Sequence, residues 1–152
     1  MPFERRQDDF TVSTDPDRLD LEAIHAALSR EYWSEGIPRE TVARALRGSL
    51  CFGLYVVEGQ REGRQIGLAR VITDAATFAY LCDVYVLSEF RGRGLGKLLM
   101  RAVMEHPDLQ GLRRFSLVTR DAHELYRPFG FAEITSPDRH MEIVRPDIYN
   151  TR

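Results

Sequence analysis

The stretch Ser88-Glu89-Phe90-Arg91-Gly92-Arg93-Gly94-Leu95-Gly96-Lys97 separates an apolar, strand-like run from a strongly periodic helical one. Three glycines alternate with bulky residues where a strand has to become a helix, and no other stretch constrains the fold as tightly. Glycine lets neighbouring N–H groups converge in conformations that a Cβ disfavours. A helix N-terminus adds unpaired N–H groups and roughly half a positive charge. Together they make a cradle for a phosphate or pyrophosphate. A glycine turn that only caps a helix is the plain alternative.

Two better-known phosphate loops do not fit. A Walker loop needs glycine, four residues, then Gly-Lys-Ser/Thr; here Arg91 stands at the first glycine and Leu98 follows Gly96-Lys97, so no magnesium-binding hydroxyl is present. A dinucleotide fingerprint counted from Gly92 and Gly94 would put its third glycine at Lys97. What remains is Arg-Gly-x-Gly-x-Gly between a strand and a helix.

The flanking pattern predicts a short strand at Phe10–Ser13 and helix-start chemistry at Asp15-Pro16-Asp17. Leu21, Ile24 and Leu28 then recur at helical spacing, and a second helix begins at Pro38 and stops at Gly48. Strands are expected at 50–57, 65–73 and 78–87, with a hairpin connection over 58–64 containing Gly59 and Gly63. Leu95, Leu98, Leu99, Ala102 and Val103 make the helix after the glycine loop amphipathic, and Pro107 ends it. A strand at 115–119, a short helix at 122–127, a strand starting near Phe131 and one at 141–144 complete the order β-αα-βββ-α-β-α-ββ. That order describes an α+β domain with a mixed, mostly antiparallel sheet flanked by helices.

With 152 residues, the chain is expected to be one domain, 1–152, with a core that needs no metal or disulfide. Its net charge of −2 gives no basic field for nucleic acid, and no apolar run approaches a membrane span. The N-terminus lacks the basic-then-apolar order of a signal peptide, so a cytoplasmic protein is the default expectation. Cys51 and Cys82 fall inside expected strands without ligand spacing, and no set of His, Cys and acidic residues has metal spacing.

Two motifs give these elements a family resemblance. The first runs Leu81-Cys82-Asp83-Val84-Tyr85-Val86-Leu87 into the glycine loop, and is similar to the fourth strand, coenzyme A loop and third helix of GCN5-related N-acetyltransferases (GNAT). The second, Asp121-Ala122-His123-Glu124-Leu125-Tyr126-Arg127-Pro128-Phe129-Gly130-Phe131, resembles that family's Asn-Ala-x-x-Leu-Tyr-x-x-x-Gly-Phe segment. With the element order, the resemblance covers nearly the whole chain. It implies a sheet splayed between the fourth and fifth expected strands, 78–87 and 115–119, with acetyl-CoA as acyl-donor cosubstrate in the gap.

The same resemblance assigns roles. Val84, Tyr85 and Val86 would offer main-chain groups to the pantetheine, and the amides of Arg91, Gly92, Arg93, Gly94, Leu95, Gly96 and Lys97 would surround the pyrophosphate. Tyr126 falls where many relatives have a tyrosine facing the coenzyme sulfur, as general acid. A tyrosine at pKa 10 protonating a thiolate near 8.5 works uphill by about 2 kcal/mol. Tyr32 and Trp33 lie where relatives bind the acceptor, and aromatic walls suit an alkyl-ammonium. Relatives are frequently dimers, so a homodimer is implied, with a small-molecule amine as the acceptor.

Two departures affect the chemistry. Asp121 replaces an asparagine in the coenzyme contact, exchanging an amide for an acceptor-only carboxylate. Tyr80 stands where histone-type relatives carry a glutamate base and Cys82 where polyamine-type relatives carry an acid, leaving Asp83 as the remaining base or ammonium anchor. Strand alternation puts Asp83 on the face opposite Cys82, Val84 and Val86 unless a bulge re-aims it. A structural salt bridge is the alternative for this acid. The expected reaction is acetyl transfer to a primary amine by direct attack in a ternary complex. An acetyl-CoA-binding regulatory module without transferase activity and a protein N-acetyltransferase are the alternatives.

Overall fold

The computed structural model describes residues 1–58 and 61–150. Six strands form one sheet in the order β1-β2-β3-β4-β5-β6: β1 Glu4–Gln7, β2 Phe10–Ser13, β3 Leu50–Glu58, β4 Arg61–Thr73, β5 Phe78–Val86 and β6 Arg114–Leu117. All neighbours are antiparallel except β5 and β6, which run parallel. Four α-helices accompany them among the described residues: α1 Leu21–Leu28, α2 Arg39–Arg47, α3 Leu95–Glu105 and the single turn α4 His123–Tyr126. The architecture is the α+β, GNAT-like fold.

The two faces of the sheet bury separate cores. Val12, Phe52, Leu54, Ile66, Ala69, Ala79 and Leu81 pack under α3 through Leu95, Leu98, Leu99, Ala102 and Val103. Ile24 and Leu28 of α1 and Val42 of α2 pack on the other face with Cys51, Leu68 and Tyr85. Helical spacing of the apolar residues in α1 and α3 is therefore what holds them to the sheet. Asp20 caps α1, its carboxylate accepting from the Ala23 N–H at 3.0 Å. The expected helix start three to five residues earlier is instead one 3₁₀ turn, Pro16–Arg18, capped by Asp15.

Three expectations need correction. The polar strand β1 carries no apolar alternation, only Glu-Arg-Arg-Gln, and it forms because Asp8 at φ 55° turns the chain back onto β2. Charged edge strands of this kind are a common device against edge-to-edge association. Among the 58–64 connection residues, Gly59 lies outside the described residues, and Gly63 belongs to β4. The strands expected near Phe131 and at 141–144 are not present: those residues form no ladder, and Met141, Ile143 and Val144 are exposed. β-Propensity alone does not make a strand without a partner edge and a covered face.

The sheet opens where the resemblance implies. β5 and β6 pair only from Phe78↔Arg114 to Leu81↔Leu117, and beyond that point the two strands part. On its other side β5 stays paired to β4 as far as Val86, but with a fault in the register: Cys82 faces Arg70 and Tyr85 faces Leu68, so Asp83 and Val84 share Ala69. This bulge reverses the alternation. Ala79 and Leu81 point to the α3 core, whereas Tyr85 points to the α1–α2 core. Asp83 takes up the strain at φ 56°.

Candidate active site

The parted strands open into a cavity of about 740 Å³. Its walls come from the free half of β5, the loop into α3, the segment after β6, α4, and the segment between α1 and α2. Val84, Tyr85 and Val86 line it at the edge that β6 has left, with the Tyr85 ring turned away into the core. Tyr85 can therefore offer the gap only its main chain.

Gly92 and Gly94 hold positive φ angles of 82° and 76°, and a Cβ on either would meet nothing within 4 Å. Gly94 is the N-cap of α3 and provides no side chain to occupy the helix end, and no acidic residue sits in the first turn. The amides that open α3 are thus left for an outside acceptor. Leu95 is buried and can contribute only its amide, whereas Arg91 and Lys97 are exposed cations bordering the cavity. The Arg91 Nε donates to the Val86 carbonyl at 3.1 Å, which ties the loop to the end of β5. Arg93 is the exception: it does not line the cavity, and its guanidinium lies over the Phe90 ring at 5.4 Å.

Tyr126 reaches the cavity from α4 while its ring packs in the main core and against Phe131 at 6.1 Å between centroids. Burial pushes its phenol up to about 12, with the neighbouring Tyr32 acting in the same direction. Handing its proton to a thiolate near 8.5 is then uphill by about 5 kcal/mol, more than the free phenol would require. Such a group works better as a retained hydrogen-bond donor than as a full proton source. Asp121 also borders the cavity, but its side chain is exposed and its charge meets Arg120 at 3.7 Å.

The two carboxylate oxygens of Asp83 are both engaged. Oδ2 accepts from the Arg70 Nε at 2.7 Å and Oδ1 from the Trp33 Nε1 at 2.8 Å. The ion pair is nearly buried, with 16% and 10% of the two side chains exposed. Desolvation works against the charge on Arg70, and the facing Asp83 together with the neighbouring Cys82 and Cys51 outweighs it, so the guanidinium is held charged. Trp33 in turn meets Tyr32 edge-on at 5.1 Å, and the loop carrying both is pinned by the buried Ser34 hydroxyl, which donates to the Leu28 carbonyl at 2.7 Å. Glu31, Tyr32, Trp33, Tyr80, Cys82 and Asp83 all border the same cavity. Burial pushes the thiols of Cys51 and Cys82 up, to about 12 and about 11, so neither is an activated nucleophile.

Two arginines of the site, Arg70 and Arg120, lie outside the sequence motifs. Arg70 has a sequence signal, since an arginine within Ile66-Gly67-Leu68-Ala69-Arg70-Val71-Ile72 beside an aspartate in the next apolar strand implies a buried pair. Arg120 has none: its guanidinium stacks 3.8 Å from the Tyr32 ring centroid, a contact between segments 88 residues apart.

A family model described as the acetyltransferase (GNAT) family matches residues 18–131. The chain belongs to that family and is an acetyl-CoA-dependent N-acetyltransferase by membership. A Gibberella zeae protein assigned as an acetyltransferase is 42% identical over 136 residues, 78% of this chain and 76% of its own. A crystal structure of a GNAT-family protein from Xanthomonas campestris pv. campestris superposes with a TM-score of 0.88 at 54% identity, covering 93% of this chain and 97% of that one. A Clostridium acetobutylicum acetyltransferase solved with acetyl-CoA shares the fold at a TM-score of 0.61 and 16% identity, covering 89% of this chain and 94% of that one.

Proposed function

We propose that this acetyltransferase moves the acetyl group from acetyl-CoA to the primary amine of a small molecule, by direct attack within a ternary complex and within one domain. One observation carries the reading. The edge of Val84–Val86 that β6 has left, the open cradle at Gly92–Lys97 and the buried Tyr126 phenol all border a single cavity. The residues present fit acetyl-CoA: amides and two exposed cations for the phosphates, and a free strand edge for an amide-containing arm.

Charge is also divided within the cavity. Arg91 and Lys97 belong to the loop; at the aromatic pair Tyr32 and Trp33, Arg120 covers Tyr32 and Arg70 pairs with Asp83. That leaves Glu31 as the carboxylate beside the Trp33 ring without an ion pair among the described residues. An aromatic face beside a carboxylate favours an alkyl-ammonium, which must shed a proton before it attacks. With Asp83 occupied by Arg70 and Trp33, that proton leaves to water rather than to the carboxylate. The Tyr126 hydroxyl donates a hydrogen bond to the departing thiolate, and the main-chain N–H of Val86, turned away from β4, supports the developing oxyanion. The homodimer reading is supported by the outer edge of β6, unpaired among the described residues, and by the exposed apolar side chains Val118, Ile143 and Val144.

Calorimetry with acetyl-CoA and a thiol-release assay over a panel of small amines, peptides and protein lysines test the proposal. Saturable binding with thiol release for small amines is the expected result. Release with peptides alone would move the acceptor to a protein, and no acetyl-CoA binding would remove the proposal altogether.

A further inference from the structure

The Asp83 carboxylate lies between two donors from distant parts of the chain, and the contacts continue on both sides. Behind it, Arg70 Nη1 donates to the Ser49 Oγ at 3.0 Å, and that hydroxyl donates to the Ala45 carbonyl at 2.7 Å, near the end of α2. In front of it, the Trp33 indole leads to the Tyr32 ring, and the Tyr32 Oη accepts from the Arg120 main-chain N–H at 3.2 Å. Arg120 belongs to the segment between β6 and α4, on the far side of the gap from β5. Tyr32 stands close enough to Tyr126 to oppose its ionisation.

We propose that Asp83 is a positioning residue: fixed by Arg70, it holds the Trp33 indole and through it Tyr32, so that the segment between α1 and α2 is strapped across the parted strands and its aromatic wall is set beside Tyr126. The inference rests on the acetyl-transfer reading for its effect on turnover, but the strap itself is a property of the free protein. The geometry explains two otherwise unconnected features. The β5 bulge and the positive φ of Asp83 turn its side chain to the face that Arg70 and Trp33 occupy. Carrying an ion pair with little solvent access is costly unless both partners are satisfied, and here both are.

Trp33 is the single tryptophan of the chain, so its fluorescence reports the strap directly. Three variants decide the matter: Asp83→Gly, Asp83→Asn and Trp33→Phe. Glycine and asparagine both accept a positive φ, so the backbone at this position is not the variable. In Asp83→Gly the emission should shift to the red and become more easily quenched by acrylamide. Its kcat/KM for the amine should fall about three- to tenfold, the scale of one lost hydrogen bond, while acetyl-CoA affinity by calorimetry is retained. Asp83→Asn keeps an oxygen for the indole but turns its NH2 toward Arg70, so its emission and kcat/KM should fall between those of the wild type and Asp83→Gly, with an unaltered pH profile. Trp33→Phe should cost about as much as Asp83→Gly, and the double variant no more than either, because coupled residues are not additive.

Three results would overturn the proposal. One is an Asp83→Asn variant whose kcat falls about 10²- to 10⁴-fold with loss of a limb of the pH profile, the mark of a general base. Another is unchanged Trp33 emission in Asp83→Gly. The third is losses that multiply in the double variant. If Asp83→Gly does not fold, Trp33→Phe decides alone: an unchanged kcat/KM for the amine overturns the proposal and a three- to tenfold fall, again one hydrogen bond's worth, sustains it. A protein that binds no acetyl-CoA would fail the functional reading while leaving the fluorescence result to stand on its own.

Discussion

The glycine loop and the aromatic wall border one cavity but are built differently. In the loop the groups offered to the cavity are main-chain amides, collected in a stretch of ten residues and shaped by two glycines at positive φ. In the wall they are side chains drawn from α1–α2, β4, β5 and the segment after β6, and each is oriented by another side chain. A main-chain site tolerates side-chain change and fails when the backbone is forced. A side-chain site tolerates little at its contacts, because every member needs its partner to be satisfied.

The largest expected effect tests the loop as backbone. Gly94→Val places a β-branched residue at φ 76°, where nothing obstructs its Cβ and only the conformation is at fault. The acetyl-CoA dissociation constant should rise more than about 100-fold by calorimetry, since the loop either distorts or loses its aligned N–H groups. The melting temperature should fall only a few degrees, about what 1–2 kcal/mol of strain brings. Unimpaired binding would break the comparison, because the cradle would then not be the site.

Tyr126→Phe comes next and probes the side-chain half. Turnover should fall about 10- to 100-fold through the lost donor, with acetyl-CoA affinity changed less than about twofold. Equal turnover in single-cycle kinetics would return Tyr126 to packing alone. The same tyrosine makes a prediction about stability. Burial holds Tyr126 and Tyr55 at about 12, above the ordinary value near 10. The neutral phenol is the folded form, so the stabilisation is complete below pH 10 and is lost as pH rises from 10 toward 12. Denaturant titrations over that window should show stability falling steeply, on the order of 3 kcal/mol for each buried phenol. Tyr126→Phe should flatten the fall, and an unchanged slope would contradict the burial.

The smallest effect sharpens the contrast within the loop itself. Arg93 stacks on Phe90 and does not face the cavity. Arg93→Ala should alter acetyl-CoA affinity less than about twofold, the scale of an exposed contact. A large loss would mean that the loop reads its ligand with side chains after all.

The same division separates what is legible in the amino-acid order from what is not. α3 and its loop are legible because glycine, helix periodicity and the N-cap act within about ten residues of each other. The tyrosine of α4 is visible through its motif, and its location in the cavity follows the expected order of elements. β1 escapes such a reading, since four polar residues give no alternation to detect. The run 141–144 misleads it in the opposite sense, since a β-prone stretch without a partner stays exposed. Arg70 is recoverable in principle as the missing counter-charge for Asp83, whereas nothing local distinguishes Arg120 from the chain's other exposed arginines.

The sequence alone determined the central helices and strands, the glycine cradle and the membership those motifs imply, because each depends on backbone preferences and short-range spacing. Tertiary structure decided what Asp83 meets. Its carboxylate is engaged on both oxygens because of a one-residue bulge against Ala69 and of two donors, 13 and 50 residues away, that only the folded chain brings to it.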